Sequence, residues 1–117
     1  MSKKDYQKAL KDGLMELDSQ AGKEDSSEMA GTTACVLLVT KDSIYCANVG
    51  DSRAVLCTNG KAEPLSYDHK PQNDEELDRI EKSGHFVEDD RVDGNLALSR
   101  AIGDFQYKDS PGLKPED

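Results

Sequence analysis

The sequence lacks any apolar run close to the roughly 20 residues needed to cross a lipid bilayer, so we expect no transmembrane helix. Basic residues are also few, with 15 Lys and Arg against 24 Asp and Glu and a formal net charge of −9. A phosphate backbone or an anionic membrane would repel such a chain, which argues against nucleic acid and membrane partners. Hydrophobic residues make up only 35% of the 117 residues. That supply is enough for one domain with a modest core.

Cysteine is scarce as well, since Cys35, Cys46 and Cys57 are the three in the sequence and none forms a Cys-x-x-Cys pair. Structural zinc sites normally use four ligands in close pairs, so the spacing argues against a thiolate metal site. All three lie within strand-like runs, and we expect small, buried side chains with free thiols. Free thiols are typical of a reducing compartment, which predicts a cytoplasmic or nuclear location.

The apolar residues that are present concentrate between residues 30 and 65. Residues 34–39 form a continuous apolar run, a pattern typical of a strand that is covered on both faces. Asn59-Gly60 lies between two further strand-like runs and predicts a tight hairpin, because both residues tolerate a positive φ. We therefore predict four antiparallel strands in a meander over residues 29–66, with Pro64 marking an edge strand or a frayed end.

A polar break, Gly50-Asp51-Ser52-Arg53, separates the apolar runs at residues 44–49 and 54–57. Glycine, aspartate and serine have turn chemistry, so we predict that the two runs pair as a hairpin with this break at its apex. Asp51 would then hold a lone carboxylate at the end of two buried strands. Two interpretations stay open from the residues alone: the carboxylate satisfies the turn, or it binds a hard divalent cation.

A helix is predicted on each side of the strands. The first covers residues 3–20 as an amphipathic helix, and residues 21–28 follow as a linker. Its apolar stripe consists of Tyr6, Leu10, Leu14 and Leu17. The second covers residues 74–83, because Asn73 and Glu76 have the spacing of a capping box and Gly84 can end the helix.

The remaining residues give weaker signals. Phe86-Val87 and residues 96–98 predict short strands around an Asp93-Gly94 turn, and residues 99–104 predict a single helical turn. We assign residues 67–107 to a helix and a flap-like segment, and residues 108–117 to a loop or tail.

Several polar side chains in this part are candidate site residues. His69 and His85 have no partner at a spacing that defines a nucleophile–base pair or a metal site, so we expect solvated loop histidines. Arg91 and Arg100 can each bind a phosphoryl group bidentately, although an exposed arginine needs no such ligand. The acidic cluster at residues 88–90 offers cation ligands but is more typical of a solvated loop.

Six short motifs that occur in a fixed order resemble one protein family. They are Gly31-Thr32-Thr33-Ala34, Ala47-Asn48-Val49-Gly50-Asp51-Ser52-Arg53, Asp68-His69-Lys70-Pro71, Glu76 with Arg79-Ile80, residues 84–87 and residues 91–104. Together they are similar to the central part of the metal-dependent protein serine/threonine phosphatases of the protein phosphatase 2C type. The resemblance covers roughly residues 31–107.

This resemblance implies an α+β fold, in which the chain is part of an α-β-β-α sandwich of two antiparallel sheets flanked by helices. It also implies Mn²⁺ or Mg²⁺ as cofactors, which hold a bridging water that attacks phosphoserine or phosphothreonine of a phosphoprotein substrate. Asp51 matches an aspartate beside the two-metal centre, so the resemblance favours a metal-proximal role. Arg91 and Arg100 match the segment that leads into a flap beside the active site, where they are candidate substrate residues.

The sequence departs from the family pattern where the metal ligands are concerned. The Asp-Gly-His-Gly-Gly motif is absent, and so is Asp-Gly-x-Trp-Asp, since the chain has no tryptophan. A single carboxylate cannot hold two divalent cations against their hydration. We therefore expect one partial phosphatase domain over residues 1–117 that is inactive alone and holds no catalytic residue.

The predicted helices do not cover both faces of the predicted strands. We expect the open face to be buried by the remainder of the phosphatase domain, by a second copy or by another protein.

The alternative function is a non-catalytic phosphatase-like binding module or a subunit of a larger assembly.

Overall fold

The computed structural model describes residues 1–25 and 29–114. The helices are Lys3–Asp25 (α1), Asp74–Lys82 (α2) and a short 3-10 helix, Phe105–Tyr107. The strands are Gly31–Thr32 (β1), Ala34–Val39 (β2), Ile44–Val49 (β3), Val55–Thr58 (β4), Lys61–Pro64 (β5), Val87–Glu88 (β6), Arg91–Val92 (β7) and Ile102–Gly103 (β8). Two α-helices with antiparallel strand pairs confirm the predicted α+β class. Over the described ranges, no helix combines the length and apolar character that a membrane span requires.

Helix α1 confirms the first predicted helix and extends beyond it. Its stripe packs on β3, where the rings of Tyr6 and Tyr45 lie 5.2 Å apart, although Leu17 remains 50% exposed. The predicted linker is wrong for residues 21–25, which continue the helix. At Gly22 this extension packs against Phe105, where a Cβ would lie 3.2 Å from the ring. Residues 26–28 of the predicted linker lie outside the described residues.

The strands form separate antiparallel pairs. Strands β2 and β3 pair along their whole length, with Ala34 opposite Val49 and Val39 opposite Ile44. Strands β4 and β5 pair across Asn59-Gly60, whose φ angles are 52° and 77°. The Asn-Gly hairpin is thus confirmed, and its turn has the positive φ angles that the two residues favour.

The predicted hairpin across residues 50–53 is wrong, because β3 pairs with β2 and β4 pairs with β5. The Ala54 carbonyl accepts the Leu65 amide at 2.8 Å and its amide donates to the Ser66 hydroxyl at 3.0 Å, so the β4–β5 ladder begins one residue before β4. Residues 50–53 bond instead to residues 68–70, so the polar break does not close a hairpin between β3 and β4. The meander is interrupted at this loop.

The predicted helical turn at residues 99–104 is also wrong. Strand β8 pairs instead with β1, with Gly31 opposite Gly103 and Thr32 opposite Ile102. The Asp18 carboxylate on α1 accepts the Gly103 amide at 2.7 Å. A helix would require that amide for its own hydrogen bonds, so this long-range contact favours the strand.

After α2 the predicted turn at Asp93-Gly94 is confirmed, with φ angles of 51° and 73°, and Val87 lies in a strand as predicted, but that strand pairs in a short hairpin that the sequence did not predict. Strands β6 and β7 turn at Asp89 and Asp90, whose φ angles are 52° and 61°. Within the predicted strand at residues 96–98, only Leu96 forms a bridge, to Val92. The acidic cluster at residues 88–90 therefore forms a turn.

The apolar surface of β2 stays partly open. Val36, Leu37 and Val39 are 40%, 48% and 68% exposed. Consecutive strand residues point to opposite faces, so both faces of β2 are incompletely covered. The cover that the continuous apolar run predicts does not come from the described part of this chain.

The cysteines are also less buried than the sequence predicts. All three are free thiols, as predicted, but Cys35 and Cys46 are only half-buried and Cys57 is exposed. The prediction that all three are buried is therefore wrong. Burial and the neighbouring Cys35 thiol raise the pKa of Cys46.

Candidate functional site

Residues 50–53, which we call the Gly50 turn, lie where segments from distant parts of the sequence meet. Residues 68–70 run beside the turn and bond to it. Thr33 and the backbone carbonyl of Arg100 also lie close to Gly50. Four of the six motifs identified in the sequence therefore converge on one loop.

Residues 68–70, which we call the clamp segment, contact the Gly50 turn through three consecutive side chains. The Arg53 guanidinium donates to both carboxylate oxygens of Asp68, at 2.9 and 3.0 Å. The Lys70 ammonium donates to the Asp51 carboxylate at 2.5 Å. His69 lies between these two ion pairs and bonds to Gly50. The clamp segment thus carries charges opposite to those of the turn and contacts the turn at three points.

His69 holds Gly50 through two hydrogen bonds. The Gly50 amide donates to the His69 Nδ1 at 3.0 Å, and the His69 amide donates to the Gly50 carbonyl at 2.9 Å. Because Nδ1 accepts a proton donor, the imidazole is neutral and carries its proton on Nε2. Burial lowers the pKa of His69, which favours the same neutral form. The prediction of a solvated loop histidine is wrong for this residue.

Glycine is required at position 50. Its φ is +102°, and a Cβ there would lie 2.5 Å from the Thr33 methyl group and 3.1 Å from the Arg100 carbonyl oxygen. The neighbouring Thr33 and Ser52 hydroxyls are 2.7 Å apart and share a hydrogen bond. The turn is therefore packed closely on both sides, and no side chain larger than hydrogen fits.

A buried carboxylate, Glu76 on α2, ties the surrounding segments together. Its side chain is 7% exposed and accepts hydrogen bonds from Arg100 at 2.6 and 3.1 Å. It also accepts from Arg79 at 3.2 Å and from the Ser99 hydroxyl at 3.1 Å. Burial opposes the charged form, but the two guanidinium groups outweigh it and lower the pKa of Glu76.

The capping-box prediction for Glu76 is consequently wrong. Asn73 is the N-cap residue of α2 but makes no side-chain capping bond, and its side-chain Nδ2 donates to the Asp68 carbonyl at 3.0 Å. The Glu76 side chain points inward, where guanidinium donors are stronger partners for a carboxylate than a backbone amide.

The three predicted site residues have different surroundings. Asp51 lies in the Gly50 turn, paired with Lys70 and with 28% of its side chain exposed. The Arg100 carbonyl packs on Gly50 while its guanidinium binds Glu76. Arg91 is exposed and donates to the Asn95 carbonyl at 2.8 Å. The contacts link Asp51 and Arg100 through Gly50, and they do not include Arg91.

His85 also differs from the solvated histidine that the sequence predicts. Its Nδ1 lies 2.7 Å from the Asp93 carboxylate, and its ring centroid lies 6.0 Å from that of Tyr107. These contacts hold the segment after α2 against the 3-10 helix, away from the hydrogen bonds of the Gly50 turn.

The described residues do not by themselves fit a divalent metal. Over residues 1–25 and 29–114, no group of three or more His, Cys, Asp or Glu side chains is placed to hold an ion. Asp51 is neutralised by the Lys70 ammonium, and a hard dication needs several oxygen ligands. The described residues therefore offer a single turn carboxylate and not a complete set of metal ligands.

A cavity of about 530 Å³ lies between α1, β3 and residues 98–108. Leu10, Leu14 and Tyr45 contribute to its wall, and Arg79 and Arg100 line the side nearest α2. In the described part of the chain, neither Asp51 nor Arg91 lines it. His69, Val49 and Ser99 also line it, so the cavity reaches the residues that pack behind the Gly50 turn.

Sequence reasoning missed His69, Lys70 and Glu76 as parts of the site. One signal was available: Asp68 and Lys70 flank His69 with charges opposite to those of Arg53 and Asp51. Complementary charges in two separate motifs favour contact between them. For Glu76 there was no such signal, because its capping-box spacing pointed to a different partner.

The family comparison covers almost the whole chain. The sequence model described as Protein phosphatase 2C matches residues 1–116. Protein phosphatase 2C homolog 2 of Aspergillus fumigatus is 53% identical over 118 residues, covering 98% of this chain and 27% of that protein. The protein of the same name in Schizosaccharomyces pombe is 51% identical over 97% of this chain and 32% of its own length. Probable protein phosphatase 2C 6 of Paramecium tetraurelia is 44% identical over 97% of this chain and 43% of its own.

A solved structure shows a similar fold. The crystal structure of a phosphatase from a pathogenic strain of Toxoplasma gondii matches with a TM-score of 0.57 and 33% identity. The match covers 75% of this chain and 39% of that one. The chain therefore spans well under half the length of the relatives described here, 27% to 43% of each curated protein.

Proposed function

Because this chain belongs to the protein phosphatase 2C family, we propose that it forms the central part of a metal-dependent phosphatase that hydrolyses phosphoserine and phosphothreonine in proteins. The observation that carries the proposal is the convergence of four family-like motifs on the Gly50 turn. Residues that only filled space would not need three consecutive polar contacts between the turn and the clamp segment.

Asp51 is the residue that we propose lies beside the metal centre. When bound, Mn²⁺ or Mg²⁺ in such a phosphatase activates the water that attacks phosphorus. The described residues do not hold these ions alone, so the other ligands belong to the remainder of the domain. What this chain supplies is a rigid loop that presents one carboxylate, already oriented by Lys70 and the clamp segment.

Arg100 and Arg91 are proposed to differ in their relation to substrate. The Arg100 guanidinium is engaged by Glu76, so it shapes the loop beside Asp51 instead of binding a phosphoryl group directly. Arg91 is exposed on β7, with one of its amino groups on the Asn95 carbonyl, and its remaining donors are available to a phosphoprotein substrate. Flap residues of this kind influence which substrate is bound and not the hydrolytic step.

The partner that covers β2 is proposed to be the remainder of the phosphatase domain. Val36, Leu37 and Val39 leave apolar surface open on both faces. Burial of apolar surface stabilises a protein by roughly 25 cal/mol per Å². A second copy or another protein could cover the same face. We also propose a reducing compartment, cytoplasm or nucleus, since the exposed Cys57 is a free thiol.

A non-catalytic binding module is the second candidate. The observation that favours it is the Asp51–Lys70 ion pair, which leaves the carboxylate neutralised in a chain whose described residues lack a metal cluster. In that case the Gly50 turn and the segment at residues 85–100 would form a surface for phosphoproteins and would cleave nothing.

The deciding experiment replaces the matching segment of the Aspergillus fumigatus relative with these 117 residues. The chimera, the unaltered relative and this chain alone are assayed on a phosphothreonine peptide with Mn²⁺ or Mg²⁺. We expect metal-dependent hydrolysis by the chimera and none above background by the chain alone. A folded chimera that binds the peptide without cleaving it would support the binding module and overturn the proposed function.

A further inference from the structure

We propose that His69 is a positioning residue for Asp51: its neutral imidazole holds the Gly50 amide and thereby fixes the direction of the neighbouring carboxylate. This inference deepens the proposed function and rests on it for the meaning of Asp51. It assigns to a histidine outside the reacting groups a task that a merely space-filling side chain cannot perform.

The geometry of the contact supports this role. His69 uses its side chain to accept the Gly50 amide at 3.0 Å and its backbone to donate to the Gly50 carbonyl at 2.9 Å. Both polar groups of the Gly50 backbone are thus bound to one residue. With its amide and its carbonyl bonded, the peptide units on each side of Gly50 cannot rotate without breaking a bond, so the orientation of Asp51 is fixed.

His69 also joins the turn to the buried network on α2. Its carbonyl accepts the Ser99 amide at 3.1 Å, and the Ser99 hydroxyl donates to Glu76 at 3.1 Å. Its other neighbour in sequence, Lys70, pairs with Asp51. His69 therefore binds the turn directly and is connected to Glu76 through Ser99.

The chemistry requires an acceptor at Nδ1. A protonated imidazole would place an N–H opposite the Gly50 N–H, so only the form with an unprotonated Nδ1 makes this bond. Glu76, Asp68, Arg79 and Arg100 are the charged groups whose fields act on the ring, and burial acts most strongly. Its lowered pKa agrees with the tautomer that the hydrogen bond demands.

Two substitutions separate this role from simple packing. His69→Asn places an amide oxygen close to the position of Nδ1, whereas His69→Gln places its amide near Nε2. Both are smaller and uncharged, so both remove similar packing. Only the Asn variant can accept the Gly50 amide.

The first readout needs no catalysis. In the complete 117-residue chain, ¹⁵N shifts of the imidazole report the tautomer, and hydrogen exchange reports the Gly50 amide. We expect an unprotonated Nδ1, a Gly50 amide that stays protected in His69→Asn, and exchange about tenfold faster in His69→Gln, the effect of one lost hydrogen bond. His85→Gln is the matched control, because His85 bonds to Asp93 and should leave Gly50 exchange unchanged.

The second readout uses the chimera. We expect His69→Asn to keep kcat within about threefold of the parent and His69→Gln to lose about tenfold in kcat with little change in KM. Equal losses in both variants, or equal Gly50 exchange, would overturn the positioning role. If the parent chimera hydrolyses nothing, the proposed function fails, and the tautomer and exchange data still decide whether His69 holds the turn.

Discussion

At the scale of residues, Glu76 shows how one buried charge organises the surroundings of the site. Its carboxylate accepts hydrogen bonds from Arg79 on the same helix and from Ser99 and Arg100, so three side chains lose a partner if it is removed. A hydrogen bond to a charged group contributes about 1.5 to 3 kcal/mol. The partly exposed arginines place Glu76 in the lower half of that range, since solvent screens them.

The ion pairs of Glu76 with Arg79 and Arg100 give a prediction with a defined pH dependence. The folded state lowers the pKa of Glu76 below its ordinary value of 4.5, so the unfolded chain binds the proton more readily. These ion pairs therefore stabilise the fold fully above about pH 4.5, and their contribution to the free energy of unfolding falls as the pH drops through the lower pKa of the folded state. We expect Glu76→Gln to reduce the free energy of unfolding by about 2 kcal/mol at pH 7 and by much less near pH 3.

Urea denaturation at both pH values measures this difference. Glu75→Gln is the control, because Glu75 lies exposed one residue earlier on the same helix. A Glu76→Gln deficit that is equal at pH 7 and pH 3 would show that lost packing, and not the charge, accounts for the change.

Gly50 gives a second residue-scale prediction. Gly50→Ala combines a φ of +102° with a Cβ 2.5 Å from the Thr33 methyl, whereas Gly60→Ala at φ +77° meets nothing within 4 Å. We expect Gly60→Ala to cost about 1 to 2 kcal/mol from backbone strain alone and Gly50→Ala to cost more. Thermal unfolding of both variants tests the packing of the turn, and equal losses would argue against it.

A residue of this site could be predicted from the sequence only when the pattern that indicates it lies within one short segment. Asp51 drew attention because a carboxylate in a turn between strands is visible in the local sequence, but only the family resemblance favoured a metal-proximal role, which stays a prediction. The His69–Gly50 contact joins residues 19 positions apart, and nothing local indicates which backbone amide an imidazole accepts. Lys70 was missed for the same reason, since its pairing with Asp51 depends on how two loops meet.

At the scale of elements, the sequence predicted the types of most helices and strands but not all their partners. Both α-helices and strands β2 to β5 form where periodicity and turn residues predict them. The predicted pairing of β3 with β4 was wrong because the polar groups of residues 50–53 bond to the clamp segment instead of closing a hairpin. Strand β8 was missed because it is two residues long and is fixed by β1 and Asp18.

The strands also set an order of cysteine reactivity. Cys57 is exposed on β4, whereas Cys46 on β3 is half-buried and has a raised pKa. The thiolate is the reactive species, so we expect Cys57 to react first with a thiol reagent at pH 7.5 and Cys46 last. Peptide mapping of the modified chain over time measures the order, and in denaturant the three should react alike. Cys46 reacting first in native buffer would contradict the strand geometry.

At the scale of the whole molecule, the chain holds a limited core. Tyr45, Ile80, Val92, Ala101 and Ile102 are its buried apolar residues within the described ranges. Strand β2 pairs only with β3 there, which leaves an edge and apolar side chains open to another chain. The sequence predicts that another surface covers this strand, and the exposed side chains of β2 agree with that prediction without testing it.

The open face predicts self-association of the isolated chain. At low micromolar concentration, sedimentation should show species larger than a monomer, and Val39→Lys should shift them toward monomer because a charge on an exposed strand opposes edge and face pairing. Lys61→Arg on β5 is the control, since it keeps the charge of an exposed side chain. A wild-type chain that stays monomeric at every concentration would show that the β2 face needs no cover.

The most direct test of the central claim is the metal dependence of hydrolysis when Asp51 is changed in the chimera. Asp51→Asn keeps the shape of the side chain and removes its charge, and Asp42→Asn alters an exposed carboxylate elsewhere. We predict that Asp51→Asn raises the Mn²⁺ concentration needed for half-maximal hydrolysis of a phosphothreonine peptide by about tenfold or more, while Asp42→Asn leaves it unchanged. A chimera whose hydrolysis and Mn²⁺ requirement are the same in both variants would contradict the placement of the Gly50 turn beside the metal centre.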